Sequence, residues 1–111
     1  MPKIYLSPST QDWNMYVTGS GSEEYNMNLL ADALVPYLLS NGIQYQRNRP
    51  EMTAGSSIRE ANQGEYDLYL ALHSNAAPEG RYGEERGIIA FYYPGSVHHP
   101  FKFSLLYIGQ F

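Results

Sequence analysis

A chain of 111 residues is about one domain of polypeptide, and 43% apolar residues is enough for a single core. Seven Lys and Arg against eleven Asp and Glu leave a net charge of −4, which argues against nucleic acid as a partner, since phosphate neutralisation needs clustered cations. The lack of cysteine excludes a disulfide framework and a thiolate zinc site, and the sequence shows neither a signal-peptide core nor a transmembrane span.

In chain order, residues 3–6 are a β-prone run closed by Ser7-Pro8-Ser9, the first expected strand. Residues 10–21 read as a loop, because Gln11, Asp12, Asn14, Gly19 and Gly21 interrupt any periodicity, with Trp13 and Tyr16 as its anchors. Loops of this length inside a domain are usually functional. Ser20 and Glu23 have the spacing of a capping box, so a helix is expected to start near there. Met27, Leu30, Ala31, Leu34 and Leu38 recur at helical spacing; Pro36 is expected to bend this helix and Asn41-Gly42 to end it. A second strand is expected at 43–46 and a polar loop at 47–55. Ser56 or Ser57 is expected to cap a short helix running to Asn62-Gly64.

The run from Leu68 to Leu72 is almost continuously apolar, as in a strand buried on both faces, and the third strand is placed at 67–72. His73, Ser74 and Asn75 follow at once. A histidine at that point stands at a strand's carboxyl end, where open α/β sheets keep their ligands. A Gly-, Glu- and Arg-rich loop leads to a fourth strand at 88–93, ended by Pro94-Gly95. The order β-α-β-α-β-β implies a sheet that is at least partly parallel, with helical crossovers. From Ser96 the character changes: residues 101–111 are apolar and aromatic, with neither a helical stripe nor alternation. Residues 1–95 therefore read as the domain, itself partial, and 96–111 as an atypical tail. With no closing helix in view, one sheet face is expected to be uncovered, favouring self-association through it.

Several pieces, in this order and spacing, resemble the zinc-dependent N-acetylmuramoyl-L-alanine amidases that cut peptidoglycan. They are Lys3-Ile4-Tyr5-Leu6 before a polar loop, Glu24 with Asn28 in Glu-Tyr-Asn-Met-Asn-Leu, and Arg47 after the second strand. Arg59-Glu60-Ala61-Asn62, Leu72-His73-Ser74-Asn75-Ala76, and Gly87 before a strand ending in Tyr92-Tyr93 complete the set. The resemblance spans residues 3 to about 95. It implies a three-layer α/β fold with a mostly parallel sheet, of the phosphorylase/hydrolase-like amidase kind, incomplete at its carboxyl end. It also implies a Zn²⁺ cofactor, peptidoglycan as the partner and the bacterial cell wall as the place of action.

The implied metal ligands are Glu24 and His73 with a third from the loop after the first strand. Taken alone, Glu24 is a first-turn acid complementing a helix dipole, and His73 a strand-end histidine bonded to nearby backbone. The family's histidine ligand falls in register with Thr10. Gln11 beside it reaches further and is taken as the third ligand, although Asp12 is chemically better and out of register. Asn75 and Thr10 are placed around the metal or substrate. Arg59 is suited to the carboxylates of a stem peptide, but pairing within the fold is preferred for it and for Arg47. No catalytic base is assigned, because in register the family's glutamate lies beyond residue 111. Glu79, Glu84 and Glu85 read as a solvated cluster with Arg81 and Arg86, and His98 and His99 as tail.

The expected function is hydrolysis of the amide between N-acetylmuramic acid and L-alanine by a zinc-activated water. The alternative is a catalytically incompetent amidase-like module that binds peptidoglycan or regulates a partner. An unrelated α/β domain binding a small polar ligand at its strand rim is the third reading.

Overall fold

Parity along two strands, β1 (Lys3–Pro8) and β3 (Leu68–Ala76), sorts the core into two layers. The computed structural model of the chain describes residues 2–16, 19–76, 88–92 and 102–110, with side chains through Ser74 and at Ile88. Even-numbered Ile4, Leu6, Leu68, Leu70 and Leu72 face α1 (Glu23–Ser40), where they meet Met27, Ala31 and Leu38. Odd-numbered Tyr5, Tyr69 and Ala71 face α2 (Ala54–Gln63) and pack on Ala61. Both faces of β3 are thus covered, as its unbroken apolar run predicts. On the α2 side Tyr5 stacks on Tyr69 with ring centres 5.5 Å apart and meets Tyr66 edge-on at 5.4 Å, the two geometries aromatic quadrupoles favour.

The helix ends differ from expectation by a few residues. It is Ser22, not Ser20, that caps α1, its hydroxyl accepting from the Tyr25 amide at 3.1 Å. Pro36 lies inside the helix, which continues to Ser40 before Asn41 caps it and Gly42 turns the chain at φ 71°. Thr53 rather than Ser56 or Ser57 caps α2. Thr53 Oγ1 accepts from the Ser56 amide at 3.0 Å, while Ser56 Oγ accepts from the Thr53 amide at 2.8 Å. This is a capping box in which serine takes the place of the usual Glu or Gln, so a search for an acid three residues on misses it.

The sheet has five strands in the order β2-β1-β3-β5-β4, with β2 at Gln44–Arg47, β4 at Ile88–Tyr92 and β5 at Lys102–Gln110. Pairs β1–β2, β1–β3 and β3–β5 are parallel, and β4 is antiparallel to β5. The chain is therefore an α/β fold with a mostly parallel sheet and helices as crossovers. Four strands are expected from the sequence, and the structure has a fifth. Residues 102–110 lie between β3 and β4, and their sequence has no polar-apolar alternation to mark them as a strand. β3 also runs beyond its expected end, so His73, Ser74 and Asn75 are strand residues, in register with Tyr107, Ile108 and Gly109.

Two substitutions probe this architecture. Leu72→Ala empties a fully buried position and should cost about 2–5 kcal/mol in urea unfolding. Gly42→Ala forces a Cβ into positive φ and should cost about 1 kcal/mol. A loss well under 1 kcal/mol for Leu72→Ala would contradict the two-sided burial of β3.

Candidate functional site

The site begins where the β1–β3 ladder runs out. The Ser9 amide donates to Leu72 O at 2.9 Å, so the following loop leaves the sheet at its carboxyl rim, beside His73. That loop folds back onto the start of α1. Asn14 O accepts from the Glu23 amide at 2.8 Å and Gln11 O from the Glu24 amide at 3.3 Å. Together with the Ser22 hydroxyl on Tyr25, these satisfy the first three amides that a helix leaves without partners. The same contacts fix the first residue of α1, Glu23, against the strand ends.

Glu23 is only 2% exposed. Its carboxylate accepts from Ser9 Oγ, from the Ser74 amide at 3.2 Å and from Ser74 Oγ at 3.1 Å. Nδ1 of His73 stands 3.5 Å from its Oε2. Tyr16 completes the chain, its hydroxyl donating to Ser74 Oγ at 2.7 Å. Burial pushes the Glu23 carboxyl up, but the bonds from His73 and Ser9, the charge of a protonated His73 and the bond from Ser74 together outweigh it. The carboxyl is held below its ordinary value. A carboxylate kept ionised in a buried place is supported wherever its donors can reach it.

On the other face of the rim lies a cavity of about 220 Å³, bordered by His73, Thr10, Gln11, Trp13, Thr53 and Tyr69 among others. Its floor is braced by a polar network. Asn48 Nδ2 donates to Ser7 Oγ at 3.2 Å, Pro8 O at 3.1 Å and Ser57 Oγ at 3.2 Å, and the Tyr69 hydroxyl donates to Ser7 Oγ at 2.8 Å.

The structure brings His73, Thr10 and Gln11 to one cavity. The acid whose side chain meets His73 is Glu23; Glu24, one residue on, is half-buried with its amide held by Gln11 O. Spacing alone does not separate two adjacent glutamates, and the signal that does is the cap at Ser22, which makes Glu23 the first helical residue. Ser9, Ser74 and Tyr16 have no sequence signature; their roles arise from where the sheet ends. Arg47 pairs with Asp32 at 2.6 Å and with Asn28 O and Oδ1 at 3.0 and 2.8 Å, the structural role preferred for it. Arg59 is exposed on α2. Trp13 is not an anchor but 73% exposed, whereas Tyr16 does tie the loop to β3. Asn75 lies in β3 with its side chain outside the described residues, as are Glu79, Glu84, Glu85, His98 and His99.

An imidazole beside an ionised carboxylate is a donor pair that suits Zn²⁺. Among the described residues no group of three His, Asp or Glu side chains is placed to hold a metal. Among the described residues, the Ser9 and Thr10 hydroxyls and the Gln11 amide share the rim with the pair. Among the described residues no helix is long and apolar enough to cross a membrane.

No protein-family model and no curated protein sequence matches the chain. Solved structures do. The N-acetylmuramoyl-L-alanine amidase AmiC2 of Nostoc punctiforme superposes with a TM-score of 0.67 at 12% identity, over 84% of this chain and 53% of that one. The catalytic domain of the CD27L endolysin targeting Clostridia difficile superposes with a TM-score of 0.55 at 20% identity, over 84% of this chain and 56% of that one. The chain thus spans little more than half the length of either, and at these identities the likeness is one of fold.

The depressed Glu23 pKa sets a sign for acid stability. Its contribution is fully present above the unfolded carboxyl value of about 4.3 and is lost as pH falls through the lower folded value. The thermal midpoint should therefore drop as pH falls below about 4.3. Glu23→Gln should lower stability at neutral pH and flatten that drop; an unchanged acid slope in the variant would contradict the assignment.

Proposed function

We propose that this chain is an amidase-type cell-wall hydrolase domain that cuts the amide between N-acetylmuramic acid and L-alanine in peptidoglycan. The observation that carries the reading is the Glu23–His73 pair at the carboxyl rim of a sheet whose fold is also that of the amidase AmiC2. The Glu23 carboxylate facing Nδ1 favours the tautomer with its proton there, which makes Nε2 the basic nitrogen of the ring. Ser9 and Ser74 keep that carboxylate ionised, and through it they orient the imidazole. In this reading Zn²⁺ would be held by His73, a glutamate at the start of α1 (Glu23 or Glu24) and Gln11. Bound there, the metal supplies a Lewis acid for the amide carbonyl and lowers the pKa of its water. Thr10 borders the same cavity and is suited to a hydrogen bond with the substrate amide.

One observation favours a second reading. No third charged or imidazole donor joins the pair among the described residues, and Ser9, Ser74 and His73 already engage the Glu23 carboxylate. A module that binds peptidoglycan without cutting it has no need of a third donor.

Metal content after dialysis and release of peptides with a new amino-terminal alanine from purified sacculi separate the two. The hydrolase should retain about one zinc per chain and release peptides. Glu23→Gln should slow that release by about 10–100-fold, and His73→Ala by at least as much. Sacculus binding with neither zinc nor release would establish the module, and no binding with no release would sink both.

A further inference from the structure

We infer that the cavity beside His73 is a sugar subsite that seats one pyranose ring of the glycan strand against Trp13. The inference rests on the peptidoglycan reading above and specifies which part of the polymer the cavity takes. Trp13 is the chain's single tryptophan, is 73% exposed, and borders the cavity together with His73. It does not sit on a loose tip. The turn that carries it is closed by Asp12 N on Thr10 O at 3.0 Å and Asn14 N on Gln11 O at 3.4 Å, and Asn14 and Gln11 in turn hold the first amides of α1. An indole left in water on a tied turn at a cavity's edge is an apolar platform awaiting a partner.

The chemistry of the rest of the lining selects that partner. Thr10 and Gln11 bring a hydroxyl and an amide to the lining, so a purely apolar occupant would desolvate polar groups without new bonds. Among the described residues no Lys or Arg borders the cavity, and the chain's net charge is −4, which disfavours phosphate and hence a stacked nucleotide. At about 220 Å³ the space suits a single ring rather than an extended peptide. A pyranose answers all three conditions: it has a face of C–H groups to lie on the indole, an edge of hydroxyls for Thr10 and Gln11, and no charge on the ring. Placed there, the ring brings its substituents beside His73.

Because Trp13 is the only tryptophan, its fluorescence reports on this cavity directly. The whole chain is titrated with a peptide-free N-acetylglucosaminyl–N-acetylmuramic acid disaccharide and, separately, with the free stem peptide. The disaccharide should shift or quench the emission at millimolar concentration, and the peptide should not. Trp13→Ala, which alters only an exposed position, should weaken disaccharide binding measured by calorimetry about tenfold, with Trp13→Phe retaining most of it. An emission unchanged by the disaccharide, or changed by the peptide alone, would overturn the assignment. So would a Trp13→Ala variant that binds the disaccharide as tightly as the parent. Disaccharide binding without amide cleavage would leave the sugar subsite standing while the hydrolase reading fell, and cleavage with no response at Trp13 would do the reverse.

Discussion

A single buried carboxylate holds the functional end of this molecule together. Glu23 accepts bonds from Ser9 at the end of β1 and from Ser74 on β3, while its own backbone is pinned by the loop between them. Strand, strand, loop and helix therefore meet on one side chain. An ionised group at 2% exposure is tolerated only because its donors are in place. Breaking such a set from one side leaves a charge short of partners, a loss of about 3–5 kcal/mol in comparable buried pairs. Position and charge are thus coupled: the same bonds that set where Glu23 sits also set its protonation, and through it the orientation of His73.

The arrangement explains how a rim that looks chemically sparse can still be a defined site. Serine, threonine, glutamine and one histidine give no metal-binding signature by themselves, yet here they share two faces of one strand end. Ser74 points to the α1 side and joins the carboxylate. His73 points to the α2 side and borders the cavity. Alternation along β3 thereby separates a supporting layer from a substrate-facing one within two consecutive residues. Asn48 does the equivalent work under the cavity, binding Ser7, Pro8 and Ser57 and so tying the β2 end to β1 and α2.

Much of this was readable in the sequence where the signal is periodic. The apolar run of β3 and the helical spacing of Met27, Ala31 and Leu38 located the two-layer core, and the position of His73 at a strand's carboxyl end followed from them. What escaped was governed by details that lack period. The capping serine lies two residues later than expected, and of two adjacent glutamates that composition does not distinguish it is Glu23 whose side chain meets His73. β5 has no alternation in its sequence, and only its pairing with β3 and β4 identifies it as a strand. Trp13 looks like an anchor by hydrophobicity, and only the solvent around it shows that it is not one.

The order of the strands has a consequence for how the molecule comes together. Residues 3–76 form β1, β2, β3 and the helices α1 and α2 with their two apolar layers, whereas β4, the next described strand along the chain, pairs among the described strands with β5 alone. The edge strand is therefore synthesised before the strand it leans on. Until residues 102–110 arrive, β4 has no place to pair and the outer edge of β3 lies open. Assembly of this half has to proceed by docking β4 and β5 as a ready-made antiparallel pair, or by β5 slotting in first and β4 closing over it. In both routes β5 is the keystone of the described strands, and the interval before it pairs is when the chain is most open to joining the edge of another copy.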